Sequence, residues 1–290
     1  MAKTQNVLFD IQGPRGRRVS AVLNVVGVLL AAALAWVVLG KLAEQGQLEA
    51  AKWAPLFTAR TWENFLLPGL WDTVRAALLA VVLSIGFGLL FGLGRLSQLG
   101  PVRWVSTVVV EFFRAVPVLI MMIFFYLALG RSDLVEPTSA PFWAVVLGLM
   151  FYNGAVIAEL IRSGVHQLPK GQREAGLVIG LTPSRSLRMI ELPQALTAML
   201  PSLVSQFVVI LKDTALGYII TYPELLASGR RLGAGDGNIL QVLLLVALVF
   251  VLINYLLTAL AAWLSGYLSF RTSGPTKPAE GPLAAEEAKV

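Results

Sequence analysis

Three small groups of charged residues stand within or at the ends of long apolar stretches: Glu111 with Arg114, Glu159 with Arg162, and Lys212 with Asp213, followed by Thr214. A charge placed in hydrocarbon is expensive, so such residues face a bundle interior or a water-filled path and pair with one another. The spacing of three in the first two groups puts acid and base on one helical face. Together the set supplies acceptors for an ammonium and donors for a carboxylate, which is what a zwitterion needs. The same pairs would serve equally as structural ion pairs holding helices together. Other chemistries are missing. There is no cysteine and a single histidine, His166, so no thiolate or histidine cluster is available for a metal. The only Gly-Lys pair, Gly40 and Lys41, is followed by Leu42, so there is no phosphate-cradling GxxxxGK[ST] loop, and neither HExxH nor GxSxG occurs. No catalytic residue is predicted.

A second polar feature interrupts the apolar pattern. Pro169 to Pro193 is a basic stretch whose local chemistry predicts a helix, a break and a second helix: Gly180 is a natural stop, and Thr182 before Pro183 is an N-cap with a first-turn proline. Pro193 either ends the second helix or starts the next apolar one. On the first helix Ala175, Val178 and Ile179 share a face, as in short amphipathic pieces that dock in a partner's groove. An ordinary charged loop on the membrane surface is the other reading.

These residues must be held by elements that cross a membrane. At 290 residues, 57% hydrophobic and 14% charged, the chain is far too apolar for a soluble globule. Its mean hydropathy of +0.74 agrees. The net charge of +6 reflects basic loops facing anionic lipid rather than nucleic acid. Six transmembrane helices are expected: 19–40, about 69–96, 105–130, 142–163, 194–220 and 238–270, giving an all-α polytopic membrane protein. The first is an uncharged run of 22 residues, read as a retained anchor rather than a secretory signal. Gly88 and Gly92 form a GxxxG pair for close helix approach, either general packing or a dimer face. Pro117 is expected to kink the third span. Residues 1–18 are expected as a polar cytoplasmic tail, and 271–290, rich in Pro, Ala, Glu and Lys, as a disordered one. With residues 169–193 placed inside, 14 of the 23 Lys and Arg residues fall on that side and 6 outside, which puts both termini in the cytoplasm.

The run Glu174, Ala175, Gly180, Ile190, Leu192 and Pro193 resembles the EAA loop of ABC-importer permeases, by which a membrane subunit engages its ATPase. The flanks, Ala155 to Gly176 and Leu192 to Leu216, resemble the polar amino-acid uptake branch, and the likeness covers roughly Leu70 to Phe270, which implies a transmembrane domain over 69–270 as a five-helix permease core behind one extra N-terminal helix. The resemblance implies that Gly171, Glu174, Ala175, Gly180, Ile190, Leu192 and Pro193 couple the chain to an ATP-binding subunit, that ATP is used by that partner, and that this chain binds no cofactor. It further implies a second permease chain, related or identical, an extracellular solute-binding protein, and a place in the bacterial cytoplasmic membrane. Gly176 departs from the family's usual alanine, which should loosen its helix by about 1 kcal/mol. Val116 stands where the family carries threonine before the proline. The substrate path is assigned to Glu159, Lys212, Asp213 and Thr214, with Glu111 and Arg114 next. The Leu216 to Gly229 run looks like glutamate-type permeases, so glutamate is the expected cargo; glutamine, histidine and arginine stay open. An ion-gradient-driven secondary carrier is the competing class, and it predicts an inverted internal repeat that the chain does not display.

Overall fold

The computed structural model describes residues 13–272, so most of both expected tails lies outside the described residues. Among the described residues every regular element is helical. The chain divides into two compact units, Met1–Phe57 and Thr58–Val290.

In the first unit, α1 (Pro14–Glu44) carries the uncharged run. Its start at a proline costs nothing, because the first-turn N–H has no intrahelical partner anyway. The helix begins earlier than expected, so Arg15, Arg17 and Arg18 lie in its first turns. Its apolar side chains, from Val19 to Leu39, are exposed along its length, the surface a spanning helix offers to lipid. The chain then turns at Gly46, in the left-handed region at φ +64°, into α2 (Ala50–Trp53) and a 3-10 turn over Ala54–Phe57.

The second unit opens with Thr58, whose hydroxyl caps α3 (Ala59–Thr61). A π-turn over Trp62–Leu66 leads without a break into α4 (Leu67–Arg95), making one helix from Ala59 to Arg95. This span starts about ten residues before the expected 69, because the widened π-turn accommodates the N–H that Pro68 lacks. Five described helices are long and apolar enough to cross a membrane, or six with a bent pair counted as one span.

That pair corrects the expected third span. α5 (Gly100–Ala115) and α6 (Val118–Gly130) meet at 98°. A proline disfavours helical backbone in the residue before it, and Val116 is extended at ψ 125°. Pro117 therefore breaks the span rather than kinking it.

The centre of the unit is α7 (Ala140–Gln167), against which α4, α5, α6 and a later span all pack. The GxxxG pair serves this packing inside the chain. A Cβ on Gly88 would fall 2.8 Å from Ile157 Cβ, and one on Gly92 3.1 Å from the Ala158 carbonyl oxygen. A polar seam adds direction: Ser84 donates to the carbonyls of Leu149 and Met150 at 3.4 Å, and Gln206 donates to Asn153 across the helix pair.

After α7 come α8 (Lys170–Val178) and α9 (Pro183–Ser186). A π-turn over Leu187–Glu191 joins α9 to α10 (Leu192–Asp213). The helix thus runs on through Pro193, which stands in the first turn of α10 and breaks nothing; the π-turn again absorbs the missing donor. α10 continues as a 3-10 segment over Thr214–Ile220 and stops at Thr221, φ +64°. α11 (Leu225–Asp236) and α12 (Ile239–Thr272) complete the described chain.

Candidate functional site

The predicted helix–break–helix of the basic stretch is present. α8 ends at Gly180 with φ +88°, a conformation that costs glycine little. Leu181 N–H donates to Gly176 O and Gly180 N–H to Leu177 O, satisfying the last carbonyls in the manner of a Schellman motif. Thr182 then accepts from Arg185 N–H and starts α9. Two contacts fasten α8 to the span behind it. Gln194 donates to Gln172 Oε1 at 3.1 Å, and Gly176 lies so close to the second helix that a Cβ there would sit 2.7 Å from Ser186 Oγ and 3.0 Å from Ile190 Cδ1. Ser186 in turn donates to the buried Glu191 at 3.0 Å. Glu174, Ala175, Gly171 and Pro193 are exposed, and Val178 and Ile179 reach 86% and 74% exposure. An amphipathic helix therefore presents its apolar residues outward from an anchored base. Beside it lies a cleft of about 690 Å³ lined by Arg95, Arg103, His166, Lys170, Arg173 and Glu174.

The structure joins two of the predicted charge pairs into one network. Glu111 and Arg114 approach to 3.4 Å on α5, and Glu159 and Arg162 to 2.6 Å on α7. Arg95, at the end of α4, connects them, with Nη2 3.0 Å from Glu111 Oε1 and Nη1 2.8 Å from Glu159 Oε2. Arg114 also stands 3.8 Å from Glu159. Arg95 Nη2 donates to Glu111, whereas Nη1 meets Glu159 off the hydrogen-bonding axis and Nε has no hydrogen-bond partner, so the link to α7 rests on attraction of charges. The sequence placed Arg95 in a short basic loop and could not pair it, because its partners are 16 and 64 residues away.

Lys212, Asp213 and Thr214 lie elsewhere. The segment they open packs beside the start of α7, where a Cβ on Gly217 would meet Val145 at 2.8 Å. Fourteen helical residues separate Val145 from Glu159, or about 21 Å of rise. The six candidate path residues therefore form two stations rather than one pocket. Nor do the three residues of the second station share a direction: Thr214 is buried and donates to Leu211 O at 2.6 Å, Asp213 is half-buried and Lys212 is exposed. Successive positions on an α-helix point about 100° apart, so Lys212 and Thr214, two positions apart, face nearly opposite ways. Lys212 instead borders an apolar hollow of about 420 Å³ with Leu226, Leu243, Phe250 and Asn254.

Next to this second station is a group missing from the predicted set. Arg75 pairs with Asp72 at 2.9 Å, donates to Tyr222 Oη at 3.4 Å and lies 5.0 Å over the Phe142 ring. Tyr222 Oη donates to Asp72 O at 2.7 Å, and burial pushes its pKa up to about 12. The Asp72–Arg75 spacing of three was the available signal. Two residues on, Glu224 is fully buried as the N-cap of α11, accepting from Leu226 and Ala227 N–H at 2.7 and 2.6 Å. Burial raises its carboxyl to about 7 against the pull of those two donors.

Residues 84–271 match the model of the binding-protein-dependent transport system inner membrane component family. The chain is 46% identical over 221 residues to the glutamate transport system permease protein GluD of Corynebacterium glutamicum, covering 76% of this chain and 81% of that one. It is similar to the glutamate/aspartate import permease protein GltK of Escherichia coli, at 30% identity over 72% of this chain and 94% of the relative. To the probable glutamine ABC transporter permease protein GlnP of Bacillus subtilis it is 34% identical, over 69% and 89%. Among solved structures, an amino acid ABC transporter crystallised with histidines aligns with TM-score 0.65 and 25% identity over 71% of this chain and 95% of that one. The inward-facing MetNI methionine ABC transporter aligns with TM-score 0.59 at 19% identity over 72% and 99%, a likeness of fold.

Proposed function

The chain belongs to the family of binding-protein-dependent transport system inner membrane components, and from that premise we propose that it carries glutamate and is driven through residues 169–193. It is the membrane-spanning permease subunit of an ATP-driven amino-acid importer, and ATP is hydrolysed in a separate subunit. The ion-gradient carrier gives way, since the relatives and structural neighbours are ABC permeases. A solute-binding protein and an ATP-binding subunit are the partners the family requires. In our reading a second permease chain completes the path, the complex sits in the bacterial cytoplasmic membrane, and both termini are cytoplasmic.

The observation that carries the coupling role is the outward apolar face of α8, Val178 and Ile179, on a helix fixed at its base to α10. Glu174 anchors this helix in the ATPase, Gly171 and Ala175 let the partner approach, and Gly180 sets its end. Ile190, Leu192 and Pro193 carry displacement into α10. Replacing Glu174 or Gly180 by Ala leaves insertion intact and uncouples uptake from ATP hydrolysis in proteoliposomes. Wild-type uptake per ATP in both variants defeats this assignment.

Glutamate is supported by the 46% identity to a glutamate permease and by a cation at each station, Arg114 and Lys212, that suits an acidic side chain. In this reading Lys212, Asp213 and Thr214 receive the amino acid at one level of the path, and Glu111, Arg114 and Glu159 flank it at the other. Competition of labelled glutamate uptake by unlabelled amino acids tests it. Lys212→Ala and Asp213→Ala should raise the half-saturating concentration at least severalfold, whereas unchanged values for every amino acid make these residues structural.

A further inference from the structure

We infer that Arg95 is a positioning residue that ties the coupling loop to the charged station of the path. This rests on reading residues 169–193 as the ATPase-coupling loop.

Two independent observations meet at this side chain. On one side Arg95 belongs to the ion network, reaching Glu111 on α5 and Glu159 on α7. On the other it lines the cleft whose far wall is Lys170, Arg173, Glu174 and Leu177 of α8. Among the described residues it is the only member of the network that also lines that cleft. Its side chain is 8% exposed, so it is a buried cation rather than a solvated loop residue.

The chemistry of the network suits a movable link. Three guanidinium groups share two carboxylates, so a carboxylate released by one cation has another beside it. Glu111 Oε1 is contested by Arg95 and Arg114, and Glu159 Oε2 by Arg95 and Arg114. Arg114 and Arg162 each have a carboxylate partner three residues away on their own helix and travel with it. Arg95 has none; both its partners are on other helices. Displacing α8 reshapes the cleft wall that Arg95 completes, and the response available to Arg95 is to exchange its hold on α5 and α7. Lysine cannot reproduce this, because a single ammonium lacks the planar fork that spans two carboxylates at once.

The test is uptake of labelled glutamate per ATP hydrolysed, measured with the whole transporter and its binding protein in proteoliposomes. For Arg95→Gln we expect this ratio to fall at least tenfold while the half-saturating glutamate concentration moves less than twofold, and for Arg95→Lys an intermediate fall. A wild-type ratio in Arg95→Gln overturns the inference. So does a fall matched by an equal loss of apparent affinity, which would place Arg95 in the substrate site. If Arg95→Gln does not assemble, Arg95→Lys carries the measurement, and a wild-type ratio there overturns the inference. Glu174→Ala runs in parallel. A fall in Glu174→Ala without one in Arg95→Gln removes Arg95 from the relay and leaves the coupling loop standing; no fall in either removes the loop assignment itself.

Discussion

The resemblance to the permease loop leads one to expect alanine at position 176, and the packing of α8 supplies a reason for glycine there. Alanine would raise helix propensity by about 1 kcal/mol, but its Cβ would lie 2.7 Å from Ser186 Oγ, too close for unbonded atoms. Gly176→Ala should therefore lower the melting temperature of the solubilised permease. In a Ser186→Ala background, which removes the offending oxygen together with its bond to Glu191, adding Gly176→Ala should cost less than it does in the wild type. A single variant more stable than wild type would show that the gap opens at no cost. Glu224 gives a second residue-level expectation. Its pKa is about 7 in the folded chain against an ordinary 4.5. A carboxyl whose folded value is raised binds its proton more tightly in the folded state, so its contribution is present below pH 4.5 and lost as pH rises through 7. The loss is at most roughly 3 kcal/mol. Thermal stability should decline between pH 5 and 8 in the wild type and decline less in Glu224→Gln, which keeps an acceptor for Leu226 and Ala227 without the charge. Parallel pH profiles for the two proteins would exclude Glu224 as the cause.

The break at Val116 and Pro117 is the element on which the ion network depends. With α5 turned 98° from α6, the C-terminal half of α5 crosses both α4 and α7, where Val110 packs between Ala155 and Ala158 and Glu111 comes within reach of Arg95. Pro117→Ala removes the constraint on Val116 and should let the two helices straighten, drawing Glu111 away. The chain has no cysteine, so a spin-label pair introduced at Val105 and Leu127 reports on this directly. The distance between labels should lengthen in Pro117→Ala, and an unchanged distance would mean that packing on α7 alone holds the bend. This element also shows where reading the sequence stops. The spans were legible because about 20 apolar residues without charge have few other uses. The ends of α8 were legible because Gly180, Thr182 and Pro183 each act on their own backbone. The Glu111–Arg114 and Glu159–Arg162 pairs followed from a spacing of three. Their union through Arg95 did not, because it depends on a crossing angle between helices far apart in the chain, which no local pattern records. Pro193 does start the next span, one of its two expected roles, but the continuity of the helix through it from α9 was not legible for a related reason: a π-turn is a backbone adjustment without a residue signature of its own.

Within the transporter, the apolar residues of α8 are exposed in the isolated chain and buried when the ATPase binds, in our reading. Covering Val178 and Ile179 contributes about 3 kcal/mol or more, roughly a hundredfold in affinity. Val178→Asp with Ile179→Asp should therefore abolish co-purification of the ATP-binding subunit while the permease still inserts. Retention of the subunit would move the contact to another surface. Continuity of the chain behind α8 has a mechanical meaning as well. From Pro183 to Asp213 the backbone is helical without interruption, 31 residues or about 46 Å. Moving as one body, with Pro201 the one proline in the interior of α10, a segment of that length is a lever arm: if it pivots near α9, a tilt of about 10° sweeps its far end, at Lys212 and Asp213, through roughly 8 Å. That arc exceeds the size of an amino acid's carboxylate. On the proposed assignment of Lys212 and Asp213 to the path, a tilt of about 10° at the end beside the coupling loop would then carry them from one side of the cargo to the other.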